Sequence, residues 1–266
     1  MPRSTLIQTI RRCLVRVNIA LGVVVLMVAL CAVYARYVEP HWLRVRHVRL
    51  SATPTVRLVQ VSDIHFKGDA AYLEKVVRTI NRLDADAVCF TGDLVEDAGH
   101  LDAALRIMAG VNKPIYGIPG NHDRWALGSC DRIAETFRRT GGGWLEQGSL
   151  LLLSNRVELV ALGAPAVVAV GPTAPGVRKR VLLEHDPAVV AHLHGLHFDL
   201  ILSGHTHGGQ VRLPIIGPLL LPYDVGPYDR GLFQTASGPL YVNPGIGAYY
   251  VNLRFLCRPE ITVFEL

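Results

Sequence analysis

The chain has 266 residues, of which 50% are hydrophobic and 18% charged, with five cysteines and a formal net charge of +5. This composition excludes a disordered protein, a disulfide-stapled mini-domain and, with no Cys-x-x-Cys pair, a zinc ribbon. The net positive charge is not a sign of nucleic-acid binding. Residues 1–50 carry eight Lys/Arg against one acid, whereas the rest of the chain carries 19 against 21.

The first predicted element lies between Arg16 and Arg36, where Val17–Ala35 contains no formal charge. As a helix rising about 1.5 Å per residue it would span about 28 Å, close to the roughly 30 Å hydrocarbon core of a bilayer. Flanking arginines, with Tyr34 and Tyr37, suit the headgroup level. The expected organisation is a basic tail over 1–16, a transmembrane helix over 17–35, a linker and edge strand over 36–54, and a globular domain over 55–266. Arg11-Arg12-Cys13-Leu14-Val15-Arg16 fits a twin-arginine export signal and an ordinary basic flank equally well. Four arginines on each side of the span leave its orientation, cleavage and the side of the globular domain open. Leu43–Leu50 alternates in the manner of an edge strand.

From residue 55 a pattern repeats. Short β-branched runs, Val56–Val61, Ala87–Phe90, Ile115–Ile118, Val181–Leu183 and Leu200–Leu202, each end in a turn carrying Asp, Asn or His. Continuous apolar runs of this length imply strands buried on both faces, hence covered by helices. Helical spacing falls at Leu73–Leu83, Leu101–Ala109 and Asp131–Arg139. The class is α/β, with polar residues collected where strands end, the usual place for a site in such sheets.

Those strand ends supply Asp63, His65, Asp93, Asn121, His185, His205 and His207. Oxygen and imidazole donors without thiolate suit Mn²⁺, Fe or Zn²⁺. Seven donors exceed the needs of one ion, and two ions sharing a carboxylate would use them all. Such a pair activates water and stabilises both attacking and leaving oxygens of a phosphoryl transfer. Glycines precede Asp93, Asn121 and His205, where they are expected to let the backbone turn sharply.

In this order, Asp63-x-His65, Gly92-Asp93, Gly120-Asn121-His122-Asp123, His185 and Gly204-His205-x-His207 resemble the motifs of calcineurin-like metallophosphoesterases, over residues 56 to about 210. Glu39-Pro40-x-Trp42, Gly204-His205-Thr206-His207-Gly208-Gly209-Gln210 and Cys257-Arg258-Pro259-Glu260 extend the resemblance from about residue 38 to the C-terminus, toward bacterial membrane-associated phosphodiesterases of the YaeI/YkuE type.

The resemblance implies a four-layer αββα sandwich and two divalent metal ions, manganese first, iron or zinc as alternatives. Asp63, His65 and His207 would bind one ion, Asn121, His185 and His205 the other, and Asp93 would bridge them. It implies a metal-bridging hydroxide attacking phosphorus, His122 protonating the leaving oxygen, and Glu96 or, in competition, Asp123 orienting His122. Arg124 would help offset charge on the substrate. The location implied is the bacterial cytoplasmic membrane, crossed once.

The expected partners are a phosphoester substrate, lipid-linked ones included, and the membrane. Nucleic acid and an obligate protein partner are not expected. Two alternatives stand beside the phosphodiesterase. One is a UDP-diacylglucosamine pyrophosphatase of lipid A synthesis. The other is a non-catalytic scaffold, against which the full ligand set and His122 argue. The segment after Pro187 reads as a helix; His192, His194 and His197 lack an acidic partner and read as its solvated end or a loop, and Arg178-Lys179-Arg180 as a solvated strand entry. The apolar stretches Ala164–Val170 and Leu213–Leu221 read either as hairpins packed into the core or as an apolar lip that accepts acyl chains.

Overall fold

The computed structural model describes residues 3–163, 173 and 175–266, with side chains from residue 11 onward. A sequence apolar on every face forms α1, Arg3–Val33, and its side chains from residue 11 lie exposed. Among the described residues it belongs to the one helical stretch long and apolar enough to cross a membrane.

The helix runs on through a π-helical turn, Tyr34–Val38, and a 3-10 turn, Glu39–His41, that begins at the Glu-Pro pair. This junction is fastened to the far end of the chain. The Arg254 N–H donates to the carbonyl of Ala35 at 2.9 Å, and Tyr34 packs edge-on against Phe255. The buried carboxylate of Glu39 accepts the backbone N–H groups of Leu256, at 2.8 Å, and Cys257. Glu-Pro-x-Trp and the terminal Cys-Arg-Pro-Glu thus sit on one seam, which Arg258 completes by lying 4.1 Å over the Trp42 ring.

The globular part holds two six-stranded sheets. In the first the spatial order is β1 (Arg44–Arg49), β14 (Glu260–Glu265), β2 (Arg57–Val61), β3 (Ala87–Phe90), β4 (Ile115–Gly117) and β5 (Gly143–Trp144). β2 through β5 run parallel, while β14 enters antiparallel to β2 and parallel to β1. The expected edge strand is therefore part of the sheet, and the segment after the apolar helix is not a free linker.

The second sheet follows the order β12 (Gly231–Thr235), β13 (Gly238–Val242), β9 (Leu200–Ser203), β8 (Lys179–Leu183), β7 (Val157–Ala161) and β6 (Gly148–Leu152), parallel from β13 to β7. Between the sheets lies a core including Leu58, Cys89, Leu183, Leu202, Tyr241 and Phe264.

The outer face of the first sheet is covered by α2 (Ala70–Arg82), α3 (Leu101–Met108) and α5 (Asp131–Arg139), which bury Val76, Ile80, Leu105 and Ile133 among others. α2 starts where the Asp69 carboxylate caps the Tyr72 N–H at 3.0 Å. The helix expected after Pro187 shrinks to a 3-10 turn, Pro187–His192, ending before Gly195 at φ +76°. That turn and its loops cover Leu182, Phe198 and Ile201 of the second sheet. The fourth layer is thus thin, with no α-helix among the described residues. His192, His194 and His197 are exposed on it. Arg180 is buried at the start of β8, its Nε 3.0 Å from Glu158. The stretch Ala164–Val170 lies outside the described residues.

Removing the Glu39 carboxylate strands two buried backbone donors. Glu39→Ala is expected to cost about 2–4 kcal/mol, with Glu39→Gln recovering part of it. Thermal unfolding of the detergent-solubilised chain measures this, and equal melting of Glu39→Ala and wild type would refute it.

Candidate metal centre

Strands β2, β3, β8 and β9, together with the turn after β4, deliver their following residues to one place between the sheets. The first sheet supplies Asp63, His65, Asp93, Asn121 and His122, and the second supplies His185, His205 and His207. Asn121 and His122 open a short helix, α4 (Asn121–Leu127). Five of the seven candidate ligands have left-handed backbone: Asp63 (φ 50°), His65 (41°), Asp93 (64°), His205 (69°) and His207 (51°). Such residues cost about 1–3 kcal/mol each and persist where surrounding structure holds them.

The donors fall into two groups that meet on Asp93. His207 Nε2 is 3.0 Å from His65 Nε2 and 3.4 Å from Asp63 Oδ1. His185 Nε2 is 2.9 Å from Asn121 Oδ1, which lies 3.1 Å from His205 Nδ1. Asp93 Oδ1 accepts the His122 N–H at 2.8 Å, leaving Oδ2 to face His65 Nε2 at 3.4 Å and His185 Nε2 at 3.2 Å. Asp63 with His65 and His207, and Asp63 with Asp93 and His185, each form a set that could hold a metal ion.

The ring orientations test that fit. His185 Nδ1 lies 2.7 Å from the Thr91 carbonyl and must carry hydrogen there, so Nε2 turns a lone pair toward Asp93, Asn121 and His205. Acceptors buried face to face in this way need a cation between them. Without a metal a proton takes that place. Burial would lower the His185 imidazole, but the Asp93 carboxylate outweighs it and raises it to about 10. Asp93 is held below the usual carboxylate range, its burial outweighed by His185 and His65. Burial, then the neighbouring imidazoles, lower His205 and His207 and keep them neutral, as metal ligands must be.

Two candidate residues make their direct contacts with groups other than the His122 ring. Asp123 is buried and gives its oxygens to three backbone donors, Asp93 N (2.7 Å), Leu94 N (2.8 Å) and Gly120 N (3.0 Å). It clamps two ligand loops together and makes no hydrogen bond to the His122 ring. Burial and the Asp93 charge raise its carboxyl to about 6. Glu96 lies 3.1 Å from His65 Nδ1 and 3.0 Å from Lys67 Nζ. These two partners outweigh burial and hold it at about 2. It comes close to His122 but its contact is with His65, whose ring it fixes as carboxylates do behind metal-bound histidines.

The His122 ring is half-buried against Trp125, Tyr249 and His65, with centroids 4.9–5.1 Å away. It makes no ring hydrogen bond among the described residues, and burial lowers its basicity.

The glycines act mainly through space. Gly92 does adopt φ +98°, but Gly120 is extended at φ −90°. A Cβ on Gly120 would collide with the Asp93 carboxylate, and one on Gly204 with Ser62 and the Asp63 carboxylate.

Tyr249, Cys257 and Arg254 were not expected at the site. Cys257 Sγ donates to the His207 carbonyl at 3.2 Å. The fully buried Arg254 guanidinium holds the carbonyls of Pro244 and Gly247, and the Gly247 N–H donates to the Asp63 carbonyl at 2.8 Å. Only the density of Gly and Tyr in Gly245–Tyr250 marks this loop in the sequence.

Two open cavities flank the centre. A groove of about 800 Å³ lies over Asp93, His122 and His207, walled by Trp125, Leu220 and Tyr250. A second of about 530 Å³ lies beside His185 and is lined by Arg124, Glu146, Glu184 and His192, with Asn121 shared between the two.

The family model for calcineurin-like phosphoesterases matches residues 56–209, which contain every one of these candidate ligands. The chain belongs to that family. It is accordingly a phosphoester-hydrolysing enzyme. It is similar to the uncharacterized metallophosphoesterase YkuE of Bacillus subtilis, 33% identical with 88% of each chain covered. Phosphodiesterase YaeI of Escherichia coli is 28% identical, covering 88% of this chain and 92% of its own. The UDP-2,3-diacylglucosamine pyrophosphatase LpxG of Chlamydia trachomatis is 26% identical, with the same two coverages.

Gly120→Ala and Gly204→Ala are expected to fold but to lose most of their bound metal, because each added methyl displaces a carboxylate of the centre. Elemental analysis after metal loading tests this, and wild-type metal content in both variants would contradict it.

Proposed function

We propose that the chain is a membrane-anchored phosphodiesterase working through two divalent ions. The observation that carries this reading is the placement of Asp93 Oδ2 between His65 and His185, where two donor sets converge on one carboxylate oxygen. Asp63, His65 and His207 would hold one ion, Asn121, His185 and His205 the other, with Asp93 shared, and manganese suits this oxygen and nitrogen set. Ions bound there supply an activated water and offset charge on the phosphoryl oxygens.

The chain's own residues do the rest. His122 lines the larger groove, its ring packed on aromatic neighbours but without a hydrogen bond among the described residues, placed to give a proton to the departing oxygen. Glu96 keeps the His65 ring fixed, and Asp123 keeps the Asp93 loop on the Gly120 loop. Arg124, partly exposed beside Glu146 on the second groove, supplies positive charge to a phosphate arm lying there. The anchor is read over 17–35 and the catalytic domain over 55–266, in the cytoplasmic membrane of a bacterium.

One observation favours a second reading. The larger groove is walled by Leu219, Leu220 and Val251, whereas the smaller sets Arg124, Glu146, Glu184 and Asp186 beside Leu162 and Leu183. A substrate with an apolar arm and a polar arm on one phosphorus fits that contrast, as would a lipid-linked diester or a pyrophosphate like that named for LpxG.

Manganese-loaded, detergent-purified protein is expected to hydrolyse bis(p-nitrophenyl) phosphate faster than p-nitrophenyl phosphate. The reverse order would remove the diesterase reading, and no turnover with any divalent ion would remove the catalytic one. His122→Ala is expected to lose about 10²–10⁴-fold in turnover with its metals retained, the loss growing as the leaving group becomes more basic. A loss independent of leaving group would sink the acid assignment. Asp93→Asn is expected instead to lower metal content, read by elemental analysis.

A further inference from the structure

The stretch from Leu213 to Tyr223 contains no charged residue, and the structure does not bury it. Arg212–Leu213 (β10) and Gly217–Pro218 (β11) form a short antiparallel hairpin whose tip carries Pro214, Ile215 and Ile216. Ile215 is fully exposed, Ile216 is 71% exposed, and beyond the hairpin Leu220 and Tyr223 are 80% and 96% exposed. Ile215 also sits at φ +71°, a conformation that β-branched residues resist and that Gly or Asn would adopt readily. An exposed turn of this kind gains nothing in water from isoleucine. Two apolar side chains at its tip therefore call for an apolar surround.

The position of the hairpin identifies that surround. Val211, directly before it, is bridged to Phe255, and the Arg212 N–H donates to the Phe255 carbonyl at 2.9 Å. Phe255 in turn packs on Tyr34 at the end of the apolar helix, ring centroids 6.2 Å apart. Ile215 is four positions on from Val211, a reach of at most about 14 Å. The hairpin thus springs from the point where α1 meets the globular part. Tyr37 and Trp42, 65% and 50% exposed, flank the same junction, with Arg36 and Arg258 lying over their rings. Aromatic rings and arginines together at a helix end are the composition of a membrane interface.

We propose that the hairpin and the following residues to Tyr223 form a second membrane contact, a wedge that enters the interfacial layer of a phospholipid bilayer beside the anchor. The inference rests on reading α1 as a membrane span. Leu219 and Leu220 belong to the wedge and also wall the larger groove. The groove therefore opens at the lipid surface, and an acyl-bearing phosphodiester reaches His122 without leaving the bilayer. Exposed apolar patches also form contacts between protein copies, which the experiment separates.

The test uses full-length protein in vesicles of phosphatidylethanolamine and phosphatidylglycerol, with nitroxide labels read by power saturation against oxygen and a water-soluble nickel chelate. Cys89, Cys130 and Cys257 are buried, which leaves Cys13 and Cys31 as the exposed thiols. Cys13→Ser keeps Cys31 as the report on the anchor. Cys13→Ser/Cys31→Ser carrying Ile215→Cys reports on the hairpin, and the same background carrying Glu135→Cys on the distant α5. Hydrolysis of bis(p-nitrophenyl) phosphate at the wild-type rate confirms that the labelled chains are folded.

Collisions with oxygen dominating at both Cys31 and position 215, with nickel dominating at 135, are the expected result. Nickel dominating at 215 while Cys31 stays in lipid would overturn the wedge and leave the anchor standing. Nickel dominating at Cys31 would remove the anchor reading and the wedge with it. A label at 215 shielded from both reagents would mean a protein contact and would also overturn the proposal.

Discussion

Lone pairs buried face to face are the constraint on which this molecule is built. Asp93 Oδ2, Asn121 Oδ1 and the ring nitrogens of His65, His185 and His207 lie within about 3–3.4 Å of one another in pairs, in a site closed by protein on most sides. Uncompensated, that arrangement repels and forfeits hydration. It persists because each donor loop is secured from behind, by Thr91 on His185, Glu96 on His65, Cys257 on His207 and three amides on Asp123. The left-handed backbone at five of the ligands is the cost of pointing them inward, offset by those contacts. A cation is what the remaining imbalance asks for.

Neither sheet makes the centre alone. The first contributes the carboxylates, the second most of the imidazoles, and the apolar core between them sets their separation. The C-terminal segment then closes the back of the site while joining the first sheet as β14. Its residues 243–260 bring Arg254 to the loop behind Asp63, Cys257 to His207, and Leu256 with Cys257 to the carboxylate of Glu39. A continuous series of contacts therefore runs from the end of the apolar helix to a ring that lines the centre. The apolar helix and the candidate metal centre are thus joined by packed contacts, not by a flexible tether.

Much of this was legible in the sequence, and the boundary falls at a definable place. Strands such as Ala87–Phe90 and helices such as Asp131–Arg139 announce themselves because their periodicity is local. The ligands are readable because each follows its strand at once. Roles that depend on partners far along the chain are not. Asp123 looks like a neighbour for His122 because the two are adjacent, but helix α4 sends its carboxylate back to amides some 30 residues earlier. Glu96, after β3, reaches His65, after β2, because the two strands are parallel neighbours, a pairing set by strand order. Gly120 and Gly204 are needed for the volume of carboxylates on other loops, which no local conformational rule reveals. Tyr249 has no motif at all, and only the closing of the 243–260 segment brings it to His122.

The charge division along the chain gains a spatial meaning from the same contacts. The surplus of arginine lies on the N-terminal fifth, and four of its members sit at the junction (Arg36) and on the first strand of the globular part (Arg44, Arg46 and Arg49). In the nearly neutral domain Asp63, Asp93 and Asp123 are buried at the centre, while acids such as Asp84 and Asp102 stand exposed at the surface. The domain consequently shows phosphate-bearing substrates a cationic centre only when metal is bound. Selectivity must then come from the walls. Those walls differ: exposed leucines and aromatic rings stand on one side, and on the side of His185 aliphatic side chains alternate with Arg124 and several carboxylates. The more apolar groove takes in Val211, whose bridge to Phe255 ties it to the place where the chain leaves its apolar helix.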